Sequence, residues 1–435
     1  MLKYIDIKNN LSQLQCDKLG DITDWITQGP NPTFIDYVDI PCLTGRNISN
    51  GRVTYDNADY VSADTYAEYA RFQLHANDTL ITLKGKGSIG KIGFVTTDKQ
   101  AIFSRNVGVV RPNTNIDAAY LNAYILSYYG QNMVLRGETG GTGQSTLTCT
   151  YIKSLDIPRF NIEKQIGDLI RLSESVLTQA NDCYKEAEQY LCDLLKINKL
   201  ILPEDNTSIV LASQSFAKTH RLDAEYYQPK YDELINLVKS HQSGYGRLET
   251  LFLIKDRNYI PENDCLYKYI ELSNIGSDGS ITGHTEALGE DLPTRARRIV
   301  RSGDLIVSSL EGSLNSCAII PEKYDGAICS TGFYVLTPKD INVETALVLF
   351  KSQLMQALMT RVCSGSIMAG MNTDEFANLI VPKIDQRTQH TIAEIIQDCS
   401  QKRDESIRLL ELAKTAVEIA IEQGEDKAME LLTAK

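Results

Sequence analysis

Much of what chemistry usually requires is missing from this chain of 435 residues. None of its ten cysteines falls in a Cys-x-x-Cys pair, so neither a zinc ribbon nor a dithiol redox motif is indicated. Thiols scattered in this way are expected to be reduced, structural and cytoplasmic. No two prolines are adjacent, which excludes the Asp-Pro-Pro-Tyr type of loop found in amino-methyltransferases. There is no His-Glu-x-x-His, no EF-hand loop and no Gly-x-Ser-x-Gly. The histidines (His75, His220, His241, His284 and His390) stand apart from one another. No apolar run approaches the roughly 20 residues of a membrane helix, and the opening MLKYIDIKNN lacks the apolar core of a signal peptide. A net charge of −12 argues against a protein that coats DNA through general basicity. The sequence therefore predicts no catalytic residues, no cofactor, no metal and no membrane partner.

What is present begins with LKGKGSIGKIGF, residues 83–94. Gly85, Gly87 and Gly90 spell G-x-G-x-x-G, and Gly85 to Lys91 is nearly a P-loop. A P-loop needs Ser or Thr after its lysine to hold magnesium, and Ile92 stands there. The dinucleotide fingerprint needs a helix opening on the glycines. The following KIGFVTT is rich in Gly, Val and Thr and reads as a strand. A strand, a glycine turn and a second strand are expected.

The chain is written twice. AIFSRNVGVVRP from Ala101 parallels AICSTGFYVLTP from Ala327. Residues 77–95 parallel 302–320, residues 47–53 parallel 274–281, and residues 151–165 parallel 375–389. Four blocks in the same order mean a duplicated unit. In the second copy the glycine turn reads LEGSLNSCAI, keeping only Gly312-Ser313 of Gly87-Ser88. A phosphate-binding role would not survive that loss, whereas a structural turn would.

Each copy ends in a helical pattern with steps of three, four and seven, without proline, entered just after Pro158 or Pro382. The expected seam comprises Ile166, Leu169, Val176, Ala180 and Leu191 in the first helix, and Ile396, Ile407, Leu410 and Val417 in the second. The fold class is α+β: two duplicated mixed α/β domains separated by two long antiparallel coiled-coil helices. The expected boundaries are 1–160 for the first domain, 161–201 for the first helix, 202–385 for the second domain and 386–435 for the second helix. Residues 202–214 read as the joint.

Local positive charge marks the candidate binding surface. Lys84, Lys86 and Lys91 surround the first glycine turn, with Arg105 and Arg111 following. In the second copy Arg295, Arg297, Arg298 and Arg301 are clustered in sequence. Polar loops at 140–146 and 365–373 occupy matching places. Arginine forks bind phosphate or guanine, and amides read adenine, so double-stranded DNA is the expected partner. Ser88, Gln144, Asn315 and Asn372 join the basic residues as candidate DNA contacts.

RLDAEYYQPKY at 221–231, GDLIVSSLEGS at 303–313 with its twin from Asp78, the run 267–281, and Leu155-x-Ile157-Pro158 carry a family resemblance. Together they cover nearly the whole chain, which resembles the specificity subunit of a type I restriction-modification enzyme. The first copy's opening lacks the RLDAEYY form. The resemblance implies a non-catalytic subunit with two target-recognition domains, each reading half of a bipartite, asymmetric DNA target. It implies helices that set the gap and dock two methyltransferase subunits, joined by restriction or translocase subunits. Two other readings stay open: a repeat-built protein scaffold without DNA specificity, and a nucleotide-binding enzyme using Gly85 to Lys91.

Overall fold

Short runs of Val, Ile, Leu and Thr broken by Gly, Asn and Asp fold as strands, because branched side chains suit a pleated surface and Gly and Asn supply the turns. The computed structural model describes residues 2–85, 87–140, 145–199, 202–203, 207–213, 215–219, 221–365 and 369–434. They form two compact units: Met1–Thr178 with Lys402–Lys435, and Gln179–Gln401. The division falls inside both long helices, so each unit takes part of each. Only part of the expected joint at 202–214 lies within the described residues.

In the first unit, a six-stranded sheet runs in the order Thr23–Gln28, Val107–Pro112, Thr79–Thr82, Ile92–Phe94, Gly51–Val53, Ile48–Ser49. Its neighbours are antiparallel except Gly51–Val53 beside Ile92–Phe94. A three-stranded sheet joins Asp59–Val61, Ile40–Leu43 and Ile102–Phe103, and Cys16–Lys18 pairs with Asp156–Pro158. In the second unit, one sheet runs Phe252–Lys255, Phe333–Pro338, Leu305–Ser308, Cys317–Ile319. Another runs Thr285–Leu288, Leu266–Ile270, Ile328–Ser330, Ala296–Ile299, and Tyr245–Arg247 pairs with Ile380–Pro382. The duplication extends to register: Thr79 opposes Val110 as Leu305 opposes Leu336.

A helix precedes the sheets of each copy, Leu2–Ser12 or Pro229–Lys239, and in register the two share Lys3-Tyr4 with Lys230-Tyr231 and Asn9 with Asn236. They also share apolar spacing: Ile7 and Leu11 are buried in one, Leu234 and Val238 in the other. Each unit also carries a pair of helices split by a serine. Ser127 accepts from Gly130 N to start Tyr128–Arg136, and Ser352 accepts from Met355 N to start Gln353–Val362.

At the head of the matching strands stands a buried acid, Asp78 or Asp304. Arg111 grips Asp78 with two hydrogen bonds of 2.8 and 2.7 Å, and His75 N donates a third. Asp304 instead receives Lys255 Nζ, the Thr337 hydroxyl and Arg301 N, at 2.7–2.8 Å. The copies keep the acid and change the base.

The long helices are Glu163–Leu195 and Gln386–Gln423. At about 1.5 Å per residue they measure roughly 50 and 57 Å. Within the first unit they run antiparallel, since Ser173 meets Ser406 and Asn161, just before the first helix, meets Glu425 just beyond the second. Ile166, Leu169, Leu410 and Val417 lie buried there with Ala413 and Ala420, while Val176 is half-buried. Within the second unit Ala180 and Leu191 are buried, as is Ile396 beside Ile392 and Cys399. Ile407 departs from the expected seam: it is 46% exposed. The seam passes through Ser406 instead, because a step of seven from Cys399 followed by four reaches Leu410.

Ser406 tolerates burial because its polar groups are satisfied. Ser406 Oγ donates to Ser173 O at 2.6 Å, and Ser173 Oγ to Ser406 O at 2.7 Å. Arg52 reaches both hydroxyls and pairs with Glu174 at 3.1 Å. Burial pushes the Glu174 carboxyl up, and the Arg52 charge opposes it. Replacing Arg52 by Met leaves these buried acceptors without their donor. It is expected to cost about 1–3 kcal/mol, read as a lower melting temperature. An unchanged melt would show that water replaces the guanidinium.

Candidate nucleic-acid interface

The glycine turn joins Thr79–Thr82 to Ile92–Phe94, both strands, so no helix opens on it as a nucleotide loop requires. Gly85, Gly87 and Gly90 all have positive φ, at 134°, 71° and 76°. At Gly85 the positive φ is what favours glycine; a Cβ there would lie 2.4 Å from Ser88 Oγ, whose side chain would have to turn away. Ser88 N donates to Gly85 O and Lys91 N to Ser88 O, closing two tight turns.

Two further loops meet this turn. Lys84 forms a bridge with Thr146 of the polar loop at 140–146, and Thr146 also pairs with Thr139. Leu83 N and Lys84 N both donate to Asn106 O, which brings the 104–106 turn alongside. The second unit repeats the construction. Leu310 bridges Gly370, Ser364 bridges Gly370, and Ser309 N donates to Gly332 O. The same glutamine braces each turn from the serine-started helix: Gln131 Nε2 donates to Gly90 O, Gln356 Nε2 to Leu314 O. Sequence reasoning identified both loop pairs but not the glutamines, whose matching positions were the available signal.

The basic candidates divide by what they touch. Lys91 and Arg105 are exposed and Lys84 is half-exposed; their charged ends have no side-chain partner among the described residues. All three belong to the loop cluster of the first unit or its edge. Arg105 is positioned by its carbonyl, which accepts from Gln28 Nε2 at 2.6 Å. Arg111 is committed to Asp78. Lys86 and Gln144 lie outside the described residues.

Of the arginines clustered in the sequence of the second unit, Arg297 and Arg298 lie on the strand Ala296–Ile299 and Arg295 and Arg301 flank it. Arg295 is exposed beside the loop cluster, its carbonyl accepting from Thr331 N at 2.8 Å. Arg297 is half-buried and donates through Nε to Thr294 O. Arg298 is half-buried, with Nη1 enclosed and unbonded among the described residues. Arg301 sits at the far end, paired with Asp325 at 3.3 Å. At about 3.3 Å per residue, the six steps from Arg295 to Arg301 cover up to roughly 20 Å. Asn315 accepts from the Lys351 ammonium at 3.0 Å, and Asn372 caps Thr373–Ala377 through Glu375 N. Both amides are engaged within the fold.

The RLDAEYY segment has a structural basis. Arg221 binds Asp223 through two nitrogens, Glu375 at 3.2 Å, and the carbonyls of Val362 and Cys363. The guanidinium groups of Arg221 and Arg361 both lie over the Tyr226 ring, at 4.5 and 4.3 Å from its centre. This lock ties the segment to Gln353–Val362 and the turn that follows.

Burial pushes the Cys42 and Cys317 thiols up to about 12, which removes them as nucleophiles near neutral pH. Among the described residues no group of His, Cys, Asp and Glu is arranged to hold a metal, and no helix is long and apolar enough to cross a membrane.

The family model for the type I restriction modification DNA specificity domain matches residues 245–411. The specificity subunit of the type I restriction enzyme EcoBI from Escherichia coli is 24% identical over 157 residues, 36% of this chain. The match spans about a third, 32%, of the length of that relative. Among solved structures, the type I restriction-modification S subunit from M. genitalium aligns over 97% of this chain and 96% of its own, at 13% identity and a TM-score of 0.40. The HsdS subunit from Thermoanaerobacter tengcongensis aligns over 94% and 97%, at 12% identity and a TM-score of 0.31.

Proposed function

We propose, for a chain that belongs with the type I restriction-modification specificity subunits, that each unit reads one half of a bipartite, asymmetric DNA target. The domains at 1–160 and 202–385 are the readers, and the helices at 161–201 and 386–435 set the gap between half-sites. The chain recognises and does not catalyse; methylation and cleavage belong to methyltransferase and restriction subunits that assemble with it in the cytoplasm. One observation carries the reading. The same three-loop cluster is built twice on one frame, braced by Gln131 and Gln356, while the side chains offered on it differ. Duplicated architecture with unlike contacts suits two unlike half-sites, whereas a homodimer's identical readers demand a palindrome.

The acidic total fits a complex in which partners supply much of the phosphate contact. Partner docking falls to apolar side chains that the helices leave in solvent. Leu172 and Ile407, 43% and 46% exposed in the first unit, offer such a surface.

Converting Lys84, Lys91 and Arg105 together to Ala tests the DNA face. Removing one lysine or arginine from a phosphate should reduce the slope of log affinity against log salt by about one. The triple variant should therefore lower that slope by up to about three. Methylated-adenine mapping in cells that also express the methyltransferase should show less methylation at an unchanged motif, because phosphate contacts hold the protein without reading bases. Wild-type binding that ignores both salt and sequence would instead favour the protein scaffold.

A further inference from the structure

We infer that Glu311 reads the exocyclic amine of a cytosine in the half-site of the second unit, a step that rests on the DNA-reading function proposed above. The two glycine turns can be superposed hydrogen bond by hydrogen bond. Ser88 N donates to Gly85 O as Ser313 N donates to Leu310 O. Lys91 N donates to Ser88 O as Ser316 N donates to Ser313 O. Between those anchors stand Lys86-Gly87 in one sequence and Glu311-Gly312 in the other. The residue that leads the turn is thus a cation in the first copy and an anion in the second. Lys91 likewise becomes Ser316. The frame is kept and the charge is inverted.

Glu311 is also held ready. Its N–H donates to Ala369 O at 3.0 Å, and Leu310 N donates to Ser308 Oγ, itself 2.9 Å from Ser313 Oγ. The side chain is exposed, with no hydrogen bond or ion pair among the described residues. A carboxylate brought into a groove lined by phosphates is repelled unless it meets a donor. In the major groove the donors are the amines of cytosine N4 and adenine N6. Adenine sets its N7 lone pair beside that amine, and it opposes a carboxylate. Cytosine offers the amine alone, so a carboxylate favours cytosine. Arg295, exposed beside the same cluster, is placed to hold the flanking backbone.

The test maps methylated adenines in cells that express the full chain with its methyltransferase, as wild type, E311Q and E311K. A wild-type motif with a C·G pair in one half is expected. E311Q should lower discrimination at that pair roughly 5- to 150-fold, the range of one base contact. E311K should relax or reverse that pair and leave the other half unchanged. E311Q is isosteric and exposed, so it keeps the test open should E311K fail to fold. An identical motif in all three proteins overturns the inference, as does a changed position that is not a C·G pair. Wild-type methylation that does not depend on this chain would instead sink the DNA-reading function itself, and is recognisable before any variant is made.

Discussion

Alanine at Arg111 is expected to destabilise the first unit by about 3–5 kcal/mol, the usual effect of leaving a buried charge alone. Asp78 is fully buried, and among the described residues its side chain keeps one further hydrogen bond, from the backbone N–H of His75. Arg111 supplies two charge-assisted hydrogen bonds and also donates to Gln73 O at 3.0 Å, tying the strand to the chain before it. Beside the acid, its guanidinium pKa is raised further above the ordinary arginine value, chiefly through the Asp78 hydrogen bonds. Thermal denaturation should show the loss in the transition of this unit. The second unit suggests the repair. There Thr337 occupies the place of Arg111, and Lys255 supplies the charge from the strand beyond. Lys255 opposes Val335 just as Thr27 opposes Val109. Thr27→Lys in an Arg111→Thr background should therefore recover part of the stability that Arg111→Thr alone loses. If Arg111→Ala melts like the wild type but binds DNA more weakly, the side chain is a DNA contact and the ion pair is incidental.

That pair also shows where sequence reasoning ends. The repeat, the strand–turn–strand reading of the glycine motif and the two long helices were all legible, because each rests on local pattern. Arg111 looked like a free cation because its partner, Asp78, is 33 residues away in sequence. Nothing local distinguishes it from Arg105, which stays in solvent. Of the four arginines from Arg295 onward, Arg297 and Arg298 lie on the strand Ala296–Ile299, and Arg295 and Arg301 flank its two ends. Ile407 entered the expected seam because it is apolar, and Ser406 was passed over because it is not. The heptad phase was correct to within one residue, but the polar contact that decides it comes from Arg52, far off in the chain. Asn315 and Asn372 carry amides of the kind that read bases, yet a lysine and a helix start already use them. Chemistry that depends on residue type was visible, and chemistry that depends on who stands opposite was not.

Cutting one heptad from each long helix should abolish methylation at the original target while leaving both units folded. Removal of 176–182 together with 399–405 preserves the heptad phase and lies between two cross-helix contacts. Ser173 with Ser406 is the contact on one side, and Cys183 with Asp398 at 3.5 Å is the contact on the other. Seven residues correspond to about 10.5 Å of helix, or roughly three base pairs at 3.4 Å each. Three base pairs are also close to a third of a turn of DNA. If the helices set the gap, the shortened chain misses the old half-sites both in distance and in phase. Both effects act on the second binding event, which gains from the first only when the span matches. Mapping methylated adenines should thus show the original motif falling to background, with any surviving motif carrying a shorter gap between unchanged halves. Unchanged halves are the informative part, since they separate a ruler from a general loss of fold. Deleting the same residues from one helix alone should be worse than deleting from both, because the remaining helix must then bulge against a mismatched partner. Full methylation at the original gap in the double deletion would mean that something other than the helices measures the distance.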